Sequence, residues 1–325
     1  MSKLSTTERP PLDLRTLAET LAAVETNVRA VIEGKPEVVR FALVALLSQG
    51  HILIEDVPGV GKTLLAKALA RSIDCSVRRI QFTPDLLPSD VTGVTVYSPD
   101  TGDFEFRPGP IFANVVLGDE INRAGPKTQS ALLEAMEERT VTVDGVTYEL
   151  GVPFLVMATQ NPIELDGTYP LPEAQRDRFM MRLAIGYPDV DAELDILRTH
   201  GTEDRLARLA AVTDAATVAD IIHLVRRVHV TDAIERYIVA LCRATRSHQD
   251  TELGASPRAS LALLRSARAY AATSGRDYVI PDDVKELAPH VLPHRLIIRA
   301  EAQLAGREAE AVIADVLDGL PAPTE

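Results

Sequence analysis

The segment that most constrains the fold is residues 57–63, VPGVGKT, which follows a short apolar run, HILIE, at 51–55 and precedes a helical pattern. Gly59 and Gly61 allow the backbone to curl so that successive N–H groups converge on a bound oxyanion. The helix that starts near Lys62 adds its positive end to the same place. A strand, a glycine-containing loop and a helix in this order predict a parallel α/β fold with a phosphate site at the loop.

Two side chains of this loop have expected roles. Lys62 should reach the β and γ phosphates of a nucleotide, and the Thr63 hydroxyl should ligate Mg²⁺. The pattern G-x-x-x-x-G-K-T begins with glycine, and this chain has Asp56 there. Because that position is the most distant from the phosphates, the substitution leaves the cradle intact. The other residues expected to contact the nucleotide here are Val57, Pro58, Gly59, Val60, Gly61 and Leu64.

A second apolar run, at 115–117, leads into two consecutive carboxylates, Asp119 and Glu120. The carboxyl ends of parallel strands meet at one edge of the sheet, where ligands of such folds gather. We expect Asp119 to bind Mg²⁺ through water and Glu120 to polarise the attacking water. An Asp-Glu pair after a strand is by itself a common loop start, but together with the phosphate loop it predicts nucleotide hydrolysis.

Three further residues are candidates for the same reaction. Asn161 follows an apolar run at 154–158 and can orient the attacking water, although Asn-Pro is also a common turn start. Arg258 lies in the first turn of a predicted helix, where a cation opposes the helix dipole unless an anion such as a γ-phosphate is near. Arg178 precedes the last predicted strand and is a candidate arginine finger acting on a neighbouring subunit.

The pattern along the chain predicts two structural units. Strands alternate with helices through residues 15–187, which indicates a parallel sheet covered on both faces, and 1–14 is a polar tail. From 188 to 325 only helical periodicity remains, which predicts an all-helical second unit.

Two β-hairpins are expected to interrupt the first unit, at 94–107 and 140–150. The second turns at Asp144-Gly145, a dipeptide that favours the type I′ turn and sets Val143 opposite Val146. Each hairpin either covers core or protrudes as a contact arm, and the sequence leaves both interpretations open.

Composition limits the function classes. With 46% hydrophobic residues among 325 the chain is able to form a core, and its net charge of −13 repels phosphate polymers. The aromatic fraction of 4% with no Trp argues against a base-stacking surface, so nucleic-acid binding is disfavoured. No apolar run is long enough to span a bilayer, and the first residues lack the apolar segment of a secretory signal. We therefore expect a cytoplasmic protein without a membrane span.

Five segments in order, VPGVGKT, LGDEINRA, ATQNP, LPEAQRDRF and GASPRAS, resemble the MoxR-type AAA+ ATPases. The resemblance covers residues 17–306 and implies an αβα P-loop core followed by a helical lid. It also implies ATP with Mg²⁺ bound between the subunits of a ring, commonly a homo-hexamer. The resemblance implies that Lys62 and Thr63 act in the phosphate loop and that Asp119 and Glu120 form the second nucleotide-binding motif. It implies that Asn161 is the first sensor, Arg258 the second sensor and Arg178 the arginine finger. The adenine is implied to lie near Ile32.

The resemblance also implies a chaperone-like role in remodelling or maturing protein complexes, often with a von Willebrand factor A-domain partner and sometimes in metal-cofactor insertion. The family commonly has leucine where this chain has Arg176, so either Arg176 or Arg178 is the finger, and the Arg-Phe pair favours Arg178. The two hairpins match inserts that face the central pore in related motors.

Three alternatives remain open. A nucleic-acid motor of the same class would carry Lys or Arg at the first hairpin tip, but 98–103 is acidic here. A P-loop phosphotransferase would need an acceptor pocket and no arginine from a second subunit. A non-hydrolysing switch or scaffold would not need the carboxylate of Glu120.

Overall fold

The computed structural model describes residues 14–32, 34–57, 59–161, 168–199 and 205–323. Its first part begins with two helices and then alternates strands with helices. The helices are α1 (Leu14–Arg29), α2 (Pro36–Leu47), α3 (Lys62–Ser72), α4 (Pro88–Thr92), α5 (Pro126–Glu138) and α6 (Glu173–Arg176). The strands are β1 (Ile52–Glu55), β2 (Val77–Gln81), β3 (Gly93–Ser98), β4 (Asp103–Pro108), β5 (Val115–Asp119), β6 (Thr140–Val143), β7 (Val146–Glu149), β8 (Leu155–Gln160) and β9 (Met181–Leu183).

Five of these strands form one parallel sheet in the order β2-β5-β8-β1-β9. Alternate residues of a strand face opposite sides, and β1 shows both faces covered. Ile52 and Ile54 join a core shared with α1, α2 and α3, whereas Leu53 joins a second core that includes residues of α5. The predicted parallel sheet with two covered faces is confirmed. All strands run the same way, so Glu55, Gln81, Asp119 and Gln160 end at one edge.

The second part is mainly helical and packs on the first. Its helix α11 contacts α1 and α2, and α12 contacts β9. The second part is not all-helical as its periodicity predicts, because a short antiparallel strand pair joins Thr251 to Ile298. Both residues are buried, and the β-branched run at 297–298 suits a strand. The elements are α7 (Val190–Thr199), α8 (Arg205–Arg208), α9 (Ala215–Val225), α10 (Asp232–Ser247), β10 (Thr251–Leu253), α11 (Pro257–Thr273), α12 (Pro281–Val291), β11 (Ile297–Ile298), α13 (Ala300–Leu304) and α14 (Ala309–Gly319).

Both predicted hairpins are present with the expected registers. Val143 pairs with Val146 across the Asp144-Gly145 turn, where both turn residues have positive φ. In the other hairpin Tyr97 pairs with Phe104. The hairpins also contact each other, because Phe106 of β4 stacks on Tyr148 of β7 with ring centroids 4.1 Å apart.

Within the described ranges, no helix is both long and apolar enough to cross a membrane.

Candidate active site

The phosphate loop has the open geometry that its glycines predict. Gly59 and Gly61 have φ of +87° and +96°, in the left-handed region, and Gly61 immediately precedes α3. Lys62 Nζ donates a hydrogen bond to the carbonyl of Asp56 at 2.7 Å. Burial lowers the pKa of Lys62, and Asp56, Asp119 and Glu120 oppose that shift. A cavity of about 320 Å³, here called the phosphate cavity, is lined by Asp56, Gly59, Gly61, Lys62, Thr63, Leu64, Arg79, Gln81, Asp119, Glu120, Thr159 and Asn161.

Asp56, the departure from the glycine pattern, has a structural role. Its buried carboxylate accepts hydrogen bonds from the N–H groups of Ile185 and Gly186, each at 2.6 Å, and from that of Val57 at 2.8 Å. Ile185 and Gly186 lie in the segment that leaves β9. Asp56 therefore fastens the start of the phosphate loop to the chain that leads into the second part.

The two predicted carboxylates lie together at the carboxyl edge of the sheet. Asp119 is buried, and its Oδ1 accepts a hydrogen bond from Thr159 Oγ1 at 3.2 Å. Glu120 has φ of +59°, an uncommon value for a residue with a side chain, and its N–H donates to Thr159 Oγ1 at 3.0 Å. Thr159 thus links both acids from the neighbouring strand, and a strained backbone of this kind is typical of functional sites.

Three residues around these acids were not predicted as part of the site. Arg79 Nε lies 2.5 Å from Asp119 Oδ2, Gln81 Nε2 donates to Glu120 Oε2 at 3.0 Å, and Arg123 forms an ion pair with Glu120. Arg79 and Gln81 belong to β2, which neighbours β5 in the sheet although 33 residues separate the strands along the chain. The order of strands is not readable from local pattern, and Arg123 carries no signal beyond its place after the two acids.

Arg178 and Arg258 lie together, away from the phosphate cavity. Both bind one carboxylate: Glu137 Oε2 is 3.1 Å from Arg178 Nε, and Glu137 Oε1 is 2.5 Å from Arg258. They line a separate cavity of about 310 Å³, here called the finger cavity, together with Gly50 and Met180. Those two residues precede β1 and β9, so this cavity lies at the amino edge of the sheet, opposite the phosphate cavity.

Asp177 helps to position Arg258 and the start of its helix. Ser256 precedes α11 as expected of an N-cap, but its Oγ donates to Asp177 Oδ2 at 3.0 Å instead of capping the helix. Asp177 also pairs with the buried Arg295 at 2.7 Å. Arg176, the alternative finger, lies 3.9 Å from Glu173 one turn away and is not among the residues that line the finger cavity.

Three of the remaining predicted nucleotide contacts, Ile32, Val57 and Val60, are not among the residues that line the phosphate cavity. Ile32 is buried in the core and Val60 packs against it, and neither lines the phosphate cavity. Val57 contributes its N–H to Asp56 instead. Pro58 lies outside the described residues.

Comparison with known proteins identifies the class that this fold and site define. The sequence profile of the ATPase family associated with various cellular activities (AAA) matches residues 51–181, and the AAA lid domain profile matches 243–316. A crystal structure of a candidate ATPase from Cytophaga hutchinsonii superposes with a TM-score of 0.90 at 39% identity, covering 96% of this chain and 97% of that one. The protein is an AAA-type ATPase with a nucleotide-binding core and a lid.

Three relatives from bacteria identify the family more narrowly. The chain is 52% identical to the uncharacterized protein YeaC of Bacillus subtilis (strain 168), over 93% of this chain and 94% of YeaC. It is 42% identical to Chaperone MoxR1 of Mycobacterium tuberculosis, over 97% of this chain and 86% of MoxR1. It is 32% identical to Protein MoxR of Methylorubrum extorquens, over 93% of this chain and 95% of that protein. The chain belongs to the MoxR family, which confirms the resemblance drawn from its five motifs.

Proposed function

We propose that the protein hydrolyses ATP as a homo-hexameric ring, in which each active site combines residues of two subunits. The observation that carries this proposal is the separation of the two cavities. A parallel strand of five residues spans about 15 Å, so an arginine at the amino edge does not reach a phosphate at the carboxyl edge of its own sheet. Arg178 and Arg258 therefore complete the site of a neighbouring subunit, with both arginines acting there on the γ-phosphate.

The residues of the phosphate cavity supply the rest of the chemistry. Lys62 and the loop N–H groups bind the β and γ phosphates, and oxygen donors such as Thr63 and Asp119 fit Mg²⁺, which neutralises phosphate charge. Glu120 accepts the proton of the attacking water. Asn161 and Thr159, which line the same cavity, orient that water and the carboxylate.

The adenine is proposed to lie near Ile32, as the resemblance implies. Gly34, two residues after Ile32, lies close to Asp189 and Ala192, which follow the segment held by Asp56. The loop after α1, the phosphate loop and the start of the second part thus meet near one place, which fits a base held between the α/β domain (residues 15–187) and the lid (188–325).

The work that hydrolysis drives is proposed to be chaperone-like remodelling of protein complexes in the cytoplasm. The name of the relative Chaperone MoxR1 supports this role. A surface for the client protein is the outer end of the β3–β4 hairpin, where Phe104 is 73% and Tyr97 52% exposed. A von Willebrand factor A-domain protein, an associate of this family, is the proposed class of partner.

The decisive experiment uses Glu120→Gln. The amide cannot accept the water proton, so turnover should fall by roughly 100-fold or more, while binding of a fluorescent ATP analogue remains because Lys62 and the loop are unchanged. Glutamine also keeps the side-chain length at a position with positive φ. The exposed Glu138, near the end of α5, provides a matched control, and Glu138→Gln should hydrolyse ATP normally.

The same variant tests the remodelling role. An ATP-bound, non-hydrolysing ring should retain its client in a pull-down, and Lys62→Ala, which lacks the phosphate contact, should not. Near-normal turnover by Glu120→Gln would remove the base assignment, and identical pull-downs from the two variants would argue against ATP-dependent client binding.

A further inference from the structure

A cavity of about 540 Å³ adjoins the finger cavity, between the ends of α2, α5 and α9 and the middle of α11. The two cavities share the lining residues Gln49, Glu137, Arg139 and Arg265. Glu137 is the one carboxylate among its lining residues, and it already pairs with Arg178 and Arg258. Its lining also includes four arginines, Arg139, Arg226, Arg265 and Arg268. This space, here called the arginine cavity, therefore carries an excess of positive charge in a chain whose net charge is −13.

The four guanidinium groups are poorly neutralised. Arg139 donates to the carbonyl of Gln49 at 2.6 Å, and Arg226 donates to the side-chain oxygen of the same residue, so neither contact is with a carboxylate. In the described part of the chain, no ion pair involves Arg265 or Arg268, and Nε of Arg268 is buried without a hydrogen-bond partner. Burial lowers the pKa of Arg139, and the charges of Arg226 and Arg265 lower it further.

Such an arrangement is expected to bind a compact anion of high charge. A guanidinium group donates two parallel hydrogen bonds to a phosphate, and it remains charged at any physiological pH. A carboxylate brings one negative charge, whereas a polyphosphate chain brings several within a few ångströms. The volume falls within the range of small-molecule sites, and a phosphate oxygen can accept the unpartnered hydrogen bond of Arg268.

We propose that the arginine cavity binds the polyphosphate chain of a small molecule, at a site distinct from the phosphate cavity of the same chain. The chain belongs either to a free phosphorylated compound or to the nucleotide of a neighbouring subunit. The second source rests on the proposed function, since it needs a ring with subunits in contact; the first does not.

The test measures tripolyphosphate binding by calorimetry to the full-length Lys62→Ala protein, in which the phosphate loop no longer competes. We expect saturable binding at one site, weakened roughly tenfold or more by Arg226→Gln with Arg265→Gln. Both arginines are exposed, so the fold should persist; Arg226→Gln alone repeats the test if thermal melting shows otherwise. Arg236→Gln with Arg243→Gln changes two exposed arginines of α10 and removes the same charge, so it should bind as the parent does.

The proposal is overturned if Lys62→Ala shows no saturable binding, if the cavity variant binds unchanged, or if the α10 control weakens equally. A second measurement separates the two sources, by sedimentation of Glu120→Gln protein with ATP. If Arg226→Gln with Arg265→Gln weakens this assembly, the polyphosphate chain is that of the neighbour's nucleotide. If assembly is unchanged, the chain belongs to a free compound. Failure of Glu120→Gln to bind ATP would count against the proposed function alone, because tripolyphosphate binding is measured without it.

Discussion

At the scale of single residues, the most informative position is the one that departs from its motif. Asp56 replaces a glycine, and its carboxylate accepts three backbone hydrogen bonds that a glycine cannot accept. Two of them come from the segment after β9, which is remote in sequence. The local pattern predicts that the cradle tolerates Asp56, but only the folded chain shows which groups the side chain binds.

Asp56→Ala should lower the free energy of unfolding by about 2–4 kcal/mol, because it leaves buried N–H groups without an acceptor. Urea unfolding followed by circular dichroism measures this change. Asp100→Ala, at the exposed tip of the β3–β4 hairpin, removes an equal charge and should be neutral. A small effect at Asp56, similar to that of the control, would mean that the 185–186 segment is held by other contacts.

A buried histidine makes stability depend on pH. His51 Nε2 donates to the Met136 carbonyl at 2.9 Å and Nδ1 accepts from the Val156 N–H at 3.0 Å, which requires the neutral ring. Burial lowers the pKa of His51 to about 4, from 6.5 in the unfolded chain. Between these values the unfolded state binds more protons, so stability is complete above pH 6.5 and falls as the pH drops toward 4.

Within that pH window, His51 should make the free energy of unfolding fall by about 1.4 kcal/mol for each unit that the pH drops. Urea unfolding at several pH values measures it, and His51→Gln, whose amide offers one donor and one acceptor but no titration, should reduce the slope by that amount. An unchanged slope in His51→Gln would show that other groups, such as the buried His294, account for the acid sensitivity.

At the scale of elements, what the sequence predicts depends on how local the cause is. The phosphate loop, the strand before Asp119 and the Asp144-Gly145 turn are encoded by neighbouring residues, and all appear as expected. Contacts between elements distant in sequence were missed, such as Gln81 with Glu120 across β2 and β5. The position of Arg258 beside Arg178 likewise follows from how α11 packs, which helical periodicity does not show.

The two hairpins form a joint element through Phe106, which stacks on Tyr148 and meets Phe112 edge-on at 5.5 Å. Phe106→Ala should lower the free energy of unfolding by about 1–2 kcal/mol and increase hydrogen exchange in β6 and β7. Phe104→Ala is a matched control on the same strand, because Phe104 is largely exposed and its ring contact is with Tyr97 of its own hairpin, so hydrogen exchange in β6 and β7 should be unchanged. Equal exchange in the two variants would indicate that the hairpins are held independently.

At the scale of the whole molecule, two cavities lie at opposite edges of one sheet, and in the proposed ring each would supply one part of a shared site. The carboxyl edge holds the phosphate loop with Asp119 and Glu120, and the amino edge holds Arg178 and Arg258. A closed ring of identical subunits brings unlike surfaces into contact at each interface, so one edge can meet the other. This arrangement distinguishes a shared ATPase site from a phosphotransferase that acts as a single subunit.

Mixing two inactive variants tests the arrangement. An Arg178→Ala subunit keeps its own Glu120, and a Glu120→Gln neighbour supplies Arg178, so an equal mixture should regain roughly a quarter of wild-type ATPase activity if subunits combine at random. The assay is phosphate release after the subunits have been dissociated and reassembled together. A mixture no more active than its separate components would show that both residues act within one subunit.

In the proposed ring, the ion pairs of Glu137 would have a further consequence. In the single chain this carboxylate neutralises the very arginines that are proposed to act on a neighbour's γ-phosphate. In a newly made or released subunit, both arginines would thus remain paired with Glu137, and bound ATP would not be hydrolysed. Hydrolysis would occur only where subunits have joined, so unassembled protein in the cell would not deplete the nucleotide.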